Sequence, residues 1–170
     1  YSGCESRAMP RGTIVGSDVN GSANAIALTQ RSSTHYFQRP DRRVTTDGLF
    51  DTGYDTTATS LRGYGFYSRL AKESGTWQWE AQTNWRSPGF EINDLSYLDR
   101  TDYKWMSGNI ARNWLNPGSW YRSQVMITGG QQQFNYDGKR TDAQQQFYYG
   151  LEFLNYWNLR SFYIHKNTTD

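Results

Sequence analysis

Apolar and polar side chains alternate strictly along residues 77–86 of this chain. Such period-two alternation places one set of side chains on each face of a β-strand, whereas a helix of 3.6 residues per turn would scatter the three indoles around its axis. The pattern therefore predicts a strand with one apolar and one polar face. The apolar set is Trp77, Trp79, Ala81, Thr83 and Trp85, and the polar set is Gln78, Glu80, Gln82, Asn84 and Arg86.

Similar alternation recurs along much of the chain. Residues 143–155 place Phe147, Tyr149, Leu151 and Phe153 on one face of a strand. We expect about eight strands of roughly ten residues and no helix, because no segment has helical periodicity. Residues 1–21 are expected to form a loop or a strand that frays near 12–19. The other predicted strands are 22–31, 44–54, 59–70, 76–86, 102–114, 120–134, 143–155 and 159–166.

Short and long predicted connections alternate between these strands. Residues 72–75, 116–119 and 155–158 form the short turns, and residues 32–43, 87–101 and 135–142 form the longer connections. Serial hairpins of this kind build an all-β, antiparallel up-and-down meander. Short turns at one end and long loops at the other are typical of outer-membrane barrels. The fold we predict is therefore part of a transmembrane β-barrel, with residues 1–170 forming one segment of it.

The spacing of the indoles favours the same interpretation. Trp77 and Trp85 lie about 27 Å apart along a strand that rises ~3.4 Å per residue. This separation is close to the ~25 Å apolar band between the two aromatic girdles of a membrane barrel. The polar set of residues 77–86 would then line the lumen. The residues expected to face lipid or form the girdles are Trp77, Trp79, Trp85, Phe147, Tyr149 and Phe153.

A second interpretation is a soluble β-sandwich or barrel that binds glycan through exposed aromatic rings. Antiparallel sheets in soluble proteins also have one apolar and one polar face. Such a protein would purify without detergent, and replacing one Trp by Ala would abolish sugar binding while leaving the fold intact.

Composition and charge exclude several classes of protein. Hydrophobic residues are only 36% of the chain and mean hydropathy is −0.87. No run approaches the ~18 apolar residues of a membrane-spanning helix. The formal net charge is +2, and basic residues form no block, so we expect no nucleic-acid partner.

Candidate catalytic chemistry is sparse. His35 and His165 lie in no metal-ligand spacing, and we expect no metal, no cofactor and no enzymatic activity. Glu80 and Glu152 could form a glycosidase pair only at a fixed separation, and we interpret them as lumen or surface charges. A hydrolase on a β scaffold is thus the least supported hypothesis. Cys4 follows Ser2 and Gly3 as in a lipoprotein cleavage site, but we interpret it as a loop thiol.

Two segments carry a resemblance to a known family. They are residues 87–103, which lead into a strand ending in Asn113 and Trp114, and residues 154–159. From about Ala81 onward the chain resembles uncharacterised outer-membrane β-barrels of Gram-negative bacteria. The longer chains of that family carry an N-terminal domain resembling family-nine carbohydrate-binding modules. Ser96 and Tyr97 stand where Gly-Phe is commoner in the family.

The resemblance implies a barrel segment truncated at both ends, located in the outer membrane of a Gram-negative bacterium. Passage of a solute, porin-like or transporter-like, or anchoring of a surface or periplasmic module is then the expected function. The expected partners are the lipid bilayer, a glycan or other solute, and other outer-membrane proteins. The family supplies no catalytic residues.

Overall fold

The computed structural model describes residues 8–35, 53–92 and 98–168. The described part of the chain contains seven strands and one helix. In chain order they are β1 (Met9–Asn20), α1 (Ala23–Gln30), β2 (Ser60–Lys72), β3 (Trp77–Arg86), β4 (Tyr103–Trp114), β5 (Tyr121–Phe134), β6 (Arg140–Phe153) and β7 (Asn158–Thr168).

All seven strands form one sheet in the order β1-β2-β3-β4-β5-β6-β7, and each neighbouring pair is antiparallel. The predicted antiparallel meander is therefore confirmed. The sheet is open, with β1 and β7 as its two edges, and no second sheet packs against it among the described residues. The strands are 10 to 14 residues long, close to the predicted length.

The register divides the side chains between two faces, because directly opposed residues of an antiparallel pair point to the same side. We call the face that carries Trp77, Trp79 and Trp85 the tryptophan face. Met106 and Ile110 of β4 join it, since they oppose Thr83 and Trp79. The opposite face, which carries the polar set of residues 77–86, we call the amide face.

The strand predicted over residues 22–31 is wrong, because Ala23–Gln30 forms helix α1. Ser22 caps this helix by accepting a hydrogen bond from the backbone N–H of Ala25, as N-cap serines do. Alanine has the highest helix propensity, and the alternating alanines of this segment only imitate a strand pattern. Ile26, Ala27 and Gln30 are buried at the i, i+1, i+4 spacing of a helix face.

The connections at one end of the sheet follow the strand ends 20, 86 and 134, and we call this the loop end. The opposite end has the short connections after residues 72, 114 and 153, and we call it the turn end. The predicted short turns are confirmed, but the connection after β5 is also short, so long and short connections do not alternate throughout. Most of the predicted strand 44–54 and of the loop 32–43, and Cys4, lie outside the described residues.

Two connections at the loop end fold back onto the amide face. Ile26 of α1 packs with Leu61 of β2, and Val19 of β1 adjoins this small core. Residues 87–90 lie directly over Gly63, where an added Cβ would meet the backbone nitrogen of Phe90 at 2.2 Å. The glycine therefore permits a backbone-to-backbone approach that any side chain would block.

No helix in the described ranges is both long and apolar enough to cross a membrane.

Candidate functional site

The tryptophan face is the more exposed face of the sheet. Apart from Arg122 and Arg140, which lie beside the two register shifts of the β5–β6 pair, every exposed position in β2–β6 points to this side. Soluble proteins normally show the reverse, with the apolar side covered. The exposed positions are Arg62, Leu70, Trp77, Ala81, Met106, Gly108, Ile110, Thr128, Gln132, Gln145 and Phe147.

Charges on the tryptophan face lie only near the strand ends. Within the seven strands, and setting aside Arg122 and Arg140 beside the register shifts of the β5–β6 pair, each Asp, Glu, Lys or Arg that the register places on this face is no more than three residues from the end of its strand. They are Asp18, Arg62, Lys72, Lys104 and Arg112. The amide face differs, because Arg69 and Glu80 lie in the interior of β2 and β3.

Two cation–aromatic clusters bracket this uncharged band. At the turn end, the guanidinium carbon of Arg112 lies 5.1 Å from the ring centroid of Trp77 and 4.4 Å from that of Trp114. At the loop end, Lys104 Nζ lies 5.8 Å from the ring centroid of Trp85 and 4.3 Å from that of Tyr136. Such contacts contribute about 0.5–2 kcal/mol each, and they hold one cation at each border of the band.

The charges in the interior of the amide face are paired. Arg69 Nε donates to Glu80 Oε2 at 2.7 Å, and Arg69 Nη2 donates to Glu73 Oε1 at 2.6 Å. Gln82 Nε2 also donates to Glu80 Oε1. The Glu80 carboxylate therefore has donors from β2 and from its own strand β3, which argues for a structural ion pair rather than a catalytic acid.

Uncharged carboxamides occupy the centre of the amide face across β4, β5 and β6. Gln146 Nε2 donates to Asn109 Oδ1 at 3.0 Å and so spans β5. Gly129 lies between them, and a Cβ there would meet Asn109 Oδ1 at 2.2 Å. The bridge therefore depends on glycine at this position. We call Asn109, Gln131, Gln144 and Gln146 the amide cluster.

Recesses lie on this part of the sheet. One of about 330 Å³ is lined mainly by amide-face residues, among them Gln78, Glu80, Asn109 and Gln146. A larger open depression of about 1230 Å³ crosses β4–β7. Its lining includes residues of both faces, so it assigns no ligand to either side.

A buried polar cluster at the loop end was missed by sequence reasoning. His35 is fully buried, and its Nδ1 lies 2.9 Å from the carbonyl oxygen of Pro88. Thr101 Oγ1 lies 3.1 Å from the same carbonyl oxygen. Glu91 donates its backbone N–H to Ser17 Oγ of β1 at 3.0 Å. These contacts fasten the two long connections to each other and to the amide face.

The residues predicted to line a lumen, Gln78, Glu80, Gln82, Asn84 and Arg86, all lie on the amide face. Five residues predicted to face lipid lie on the tryptophan face, namely Trp77, Trp79, Trp85, Phe147 and Tyr149. Phe153 ends β6, where its ring centroid lies 6.3 Å from that of Trp120. The environments predicted for these residues, lumen water and lipid, stay predictions.

No group of three or more His, Cys, Asp or Glu side chains among the described residues is placed to hold a metal ion. Glu80 and Glu152 lie on different strands that are not neighbours in the sheet.

A family model described as Domain of unknown function (DUF5916) matches residues 13–169. No curated protein matches the chain, and no solved structure does.

Proposed function

The chain belongs to the DUF5916 family of domains of unknown function, and for this member we propose a role as a wall segment of an outer-membrane β-barrel. The tryptophan face would contact lipid and the amide face would line a water-filled lumen. The barrel would pass a solute in a porin-like or transporter-like manner, or anchor a surface or periplasmic module.

One observation carries this proposal: the more exposed side of β2–β6 is the tryptophan face, whose charges lie only near the strand ends. Exposed apolar area costs about 25 cal/mol per Å² in water. Strand-interior side chains that are exposed and apolar, such as Met106 at 43% and Ile110 at 44% exposure, therefore favour an apolar surrounding. Monomeric soluble proteins rarely expose contiguous apolar patches of this kind.

The borders of the band add support. Trp and Tyr are enriched where a membrane meets water, and Lys and Arg near such borders extend their charged ends into water. Arg112 with Trp77 and Lys104 with Trp85 combine both features at the two ends of the β3–β4 pair. The strand between them rises about 27 Å.

A barrel cannot leave strand edges unpaired in hydrocarbon, because each unsatisfied backbone group costs several kcal/mol there. The proposal therefore requires partners for the edges of β1 and β7, supplied by strands outside the described residues or by a second copy. The inward-folded residues 87–90 and α1 would then lie inside the lumen at the loop end and narrow it.

Arginine substitution at two neighbouring residues tests the proposal. Ala81 and Gln82 are adjacent in β3 and point to opposite faces. In the full-length protein folded into lipid vesicles, Ala81→Arg should reduce the free energy of unfolding by about 2–4 kcal/mol if residue 81 lies near the bilayer midplane. Gln82→Arg should have a mild effect. Equal tolerance at both positions, or purification of a monodisperse protein without detergent, would contradict the barrel and favour the soluble glycan-binding interpretation.

A further inference from the structure

We propose that the amide cluster, Asn109, Gln131, Gln144 and Gln146, is a binding site for a neutral oligosaccharide. The inference rests on the proposed function in one respect: it takes this surface to line a lumen and the sugar to be the solute that passes through it. Its chemistry is independent of the membrane.

The first argument is hydrogen-bonding capacity. A carboxamide offers two donors and an acceptor oxygen, and a sugar hydroxyl is both donor and acceptor. Within the cluster, Gln146 donates to Asn109, and Gln131 Oε1 accepts from Trp105 Nε1 at 3.3 Å. These two contacts orient three of the four amides and use only some of the donors and acceptors of the cluster.

The second argument is the absence of net charge. The cluster occupies two successive rows of the amide face, in which Gln131 opposes Gln144 and Gly129 opposes Gln146. The β4 residues of these rows are Ser107 and Asn109. The rows hold no charged side chain across β4–β6. Glu80, which opposes Asn109 from β3, is paired with Arg69, and Lys166 opposes Gln144 from β7 at the outer end of one row. A neutral ligand fits this surface better than an anion or a cation does.

The third argument is the aromatic rings that flank the cluster on the same face. Trp105 lies in the row next to the cluster toward the loop end, and Tyr148 lies in the row next to it toward the turn end. The rows of these two residues are about 20 Å apart at ~3.4 Å per residue, which suits a short chain of sugar units rather than a single ring. The Tyr148 ring lies along the sheet and extends toward Gly150, on the side away from the cluster, since a Cβ added at Gly150 would meet its hydroxyl at 2.9 Å. A ring in that position presents a flat surface on which a sugar can stack.

The test is calorimetric titration of the full-length protein with maltohexaose and cellohexaose, and with hexagalacturonate as the charged comparison. The two glutamine tracts supply matched controls, because adjacent glutamines point to opposite faces. Gln131→Ala and Gln146→Ala should each weaken binding of the neutral hexasaccharide that binds by roughly three- to tenfold, as expected for loss of one or two hydrogen bonds. Gln132→Ala and Gln145→Ala on the tryptophan face should leave it nearly unchanged.

Binding of neither neutral hexasaccharide, or tighter binding of hexagalacturonate, would overturn the site. Equal effects of the amide-face and tryptophan-face variants would overturn it as well. Failure of the barrel gives a different result: the protein would stay soluble without detergent and still bind the neutral sugar through Gln131 and Gln146. Failure of the sugar site alone would leave the different responses to Ala81→Arg and Gln82→Arg intact.

Discussion

His35 Nε2 lies 2.8 Å from Glu91 Oε2, and this contact joins two connections that are 56 residues apart in the chain. His35 has no exposed side-chain area, and Glu91 retains 13%. The other ring nitrogen faces the carbonyl oxygen of Pro88, which can only accept a hydrogen bond, so Nδ1 carries a proton. The imidazole therefore holds the inward-folded segment by two hydrogen bonds in a buried site.

Removing this imidazole should destabilise the loop end. His35→Ala would leave the Pro88 carbonyl oxygen without this donor and the Glu91 carboxylate without its ring partner. Loss of one partner of a buried hydrogen bond costs about 1–3 kcal/mol. We expect a decrease of that order in the free energy of unfolding, measured by urea titration of the full-length protein.

The matched control is His165→Ala. His165 is exposed on β7, and its replacement should change the free energy of unfolding by no more than ~0.5 kcal/mol. Similar effects at the two positions would show that the His35 contacts contribute little.

Gly63 should tolerate no side chain. A Cβ at this position would lie 2.2 Å from Phe90 N and 2.4 Å from the carbonyl carbon of Gly89, and backbone atoms cannot rotate away. Gly63→Ala should therefore displace the inward-folded segment and cost about 1–3 kcal/mol, as overpacking does. Limited proteolysis should detect cleavage near residue 89 in the variant.

Gly16→Ala is the control for this substitution. Gly16 precedes Ser17, the residue that opposes Gly63, and a Cβ at Gly16 would meet nothing within 4 Å. Its stability and its proteolysis pattern should match those of the parent protein. Cleavage near residue 89 in both variants would contradict a specific contact at Gly63.

The strands could be predicted from the sequence because their faces have opposite chemistry. Residues 77–86 alternate without exception, and the observed strand β3 has those same bounds. The division between Gln78 and Trp79 follows directly from the period of two. Neighbour order also followed from the short connections, since a tight turn leaves two antiparallel strands adjacent.

The loop end could not be predicted in the same way. His35 and Glu91 are in contact only because two long connections fold onto the amide face. Neither connection has a hydrophobic periodicity from which such packing could be predicted. Helix α1 was not predicted because the alternating alanines suit either face of a strand or a helix, and so do not show which side chains are buried. Gly63 offered a weak indication, since a glycine inside a strand often marks a close approach of another segment.

The ion pair between Arg86 and Asp99 gives a pH-dependent prediction. Burial raises the pKa of Asp99, but the hydrogen bond from Arg86 and backbone N–H donors outweigh it and hold the pKa below its ordinary value. A depressed carboxyl pKa stabilises the fold above the pKa of the unfolded chain, about 3.9, and this stabilisation is lost as pH falls through the folded value.

Asp99→Asn should therefore lower the free energy of unfolding near neutral pH and make no difference at strongly acidic pH. The effect should stay below ~1 kcal/mol, because the Asp99 side chain is 67% exposed and solvent screens the pair. Urea titrations of both proteins at pH 7 and pH 3 measure it. A difference that is the same at both values would assign the effect to lost packing or hydrogen bonding rather than to charge.

Depth-dependent fluorescence quenching should separate the two faces of the sheet. Trp79 and Trp105 both lie inside strands, but Trp79 opposes Ile110 on the tryptophan face, whereas Trp105 opposes Asn84 on the amide face. In vesicles of lipids brominated on their acyl chains, a variant that keeps only Trp79 should be strongly quenched, because its indole would contact hydrocarbon. A variant that keeps only Trp105 should be quenched weakly, and soluble iodide should reach it instead. In both variants all other Trp residues are replaced by Phe, so the variants differ mainly in the face of the sheet on which the fluorescent indole lies. Equal quenching of both variants by bromolipid would mean that the two faces of the sheet do not separate lipid from water. That result would contradict the proposal that this sheet is the wall of a membrane barrel.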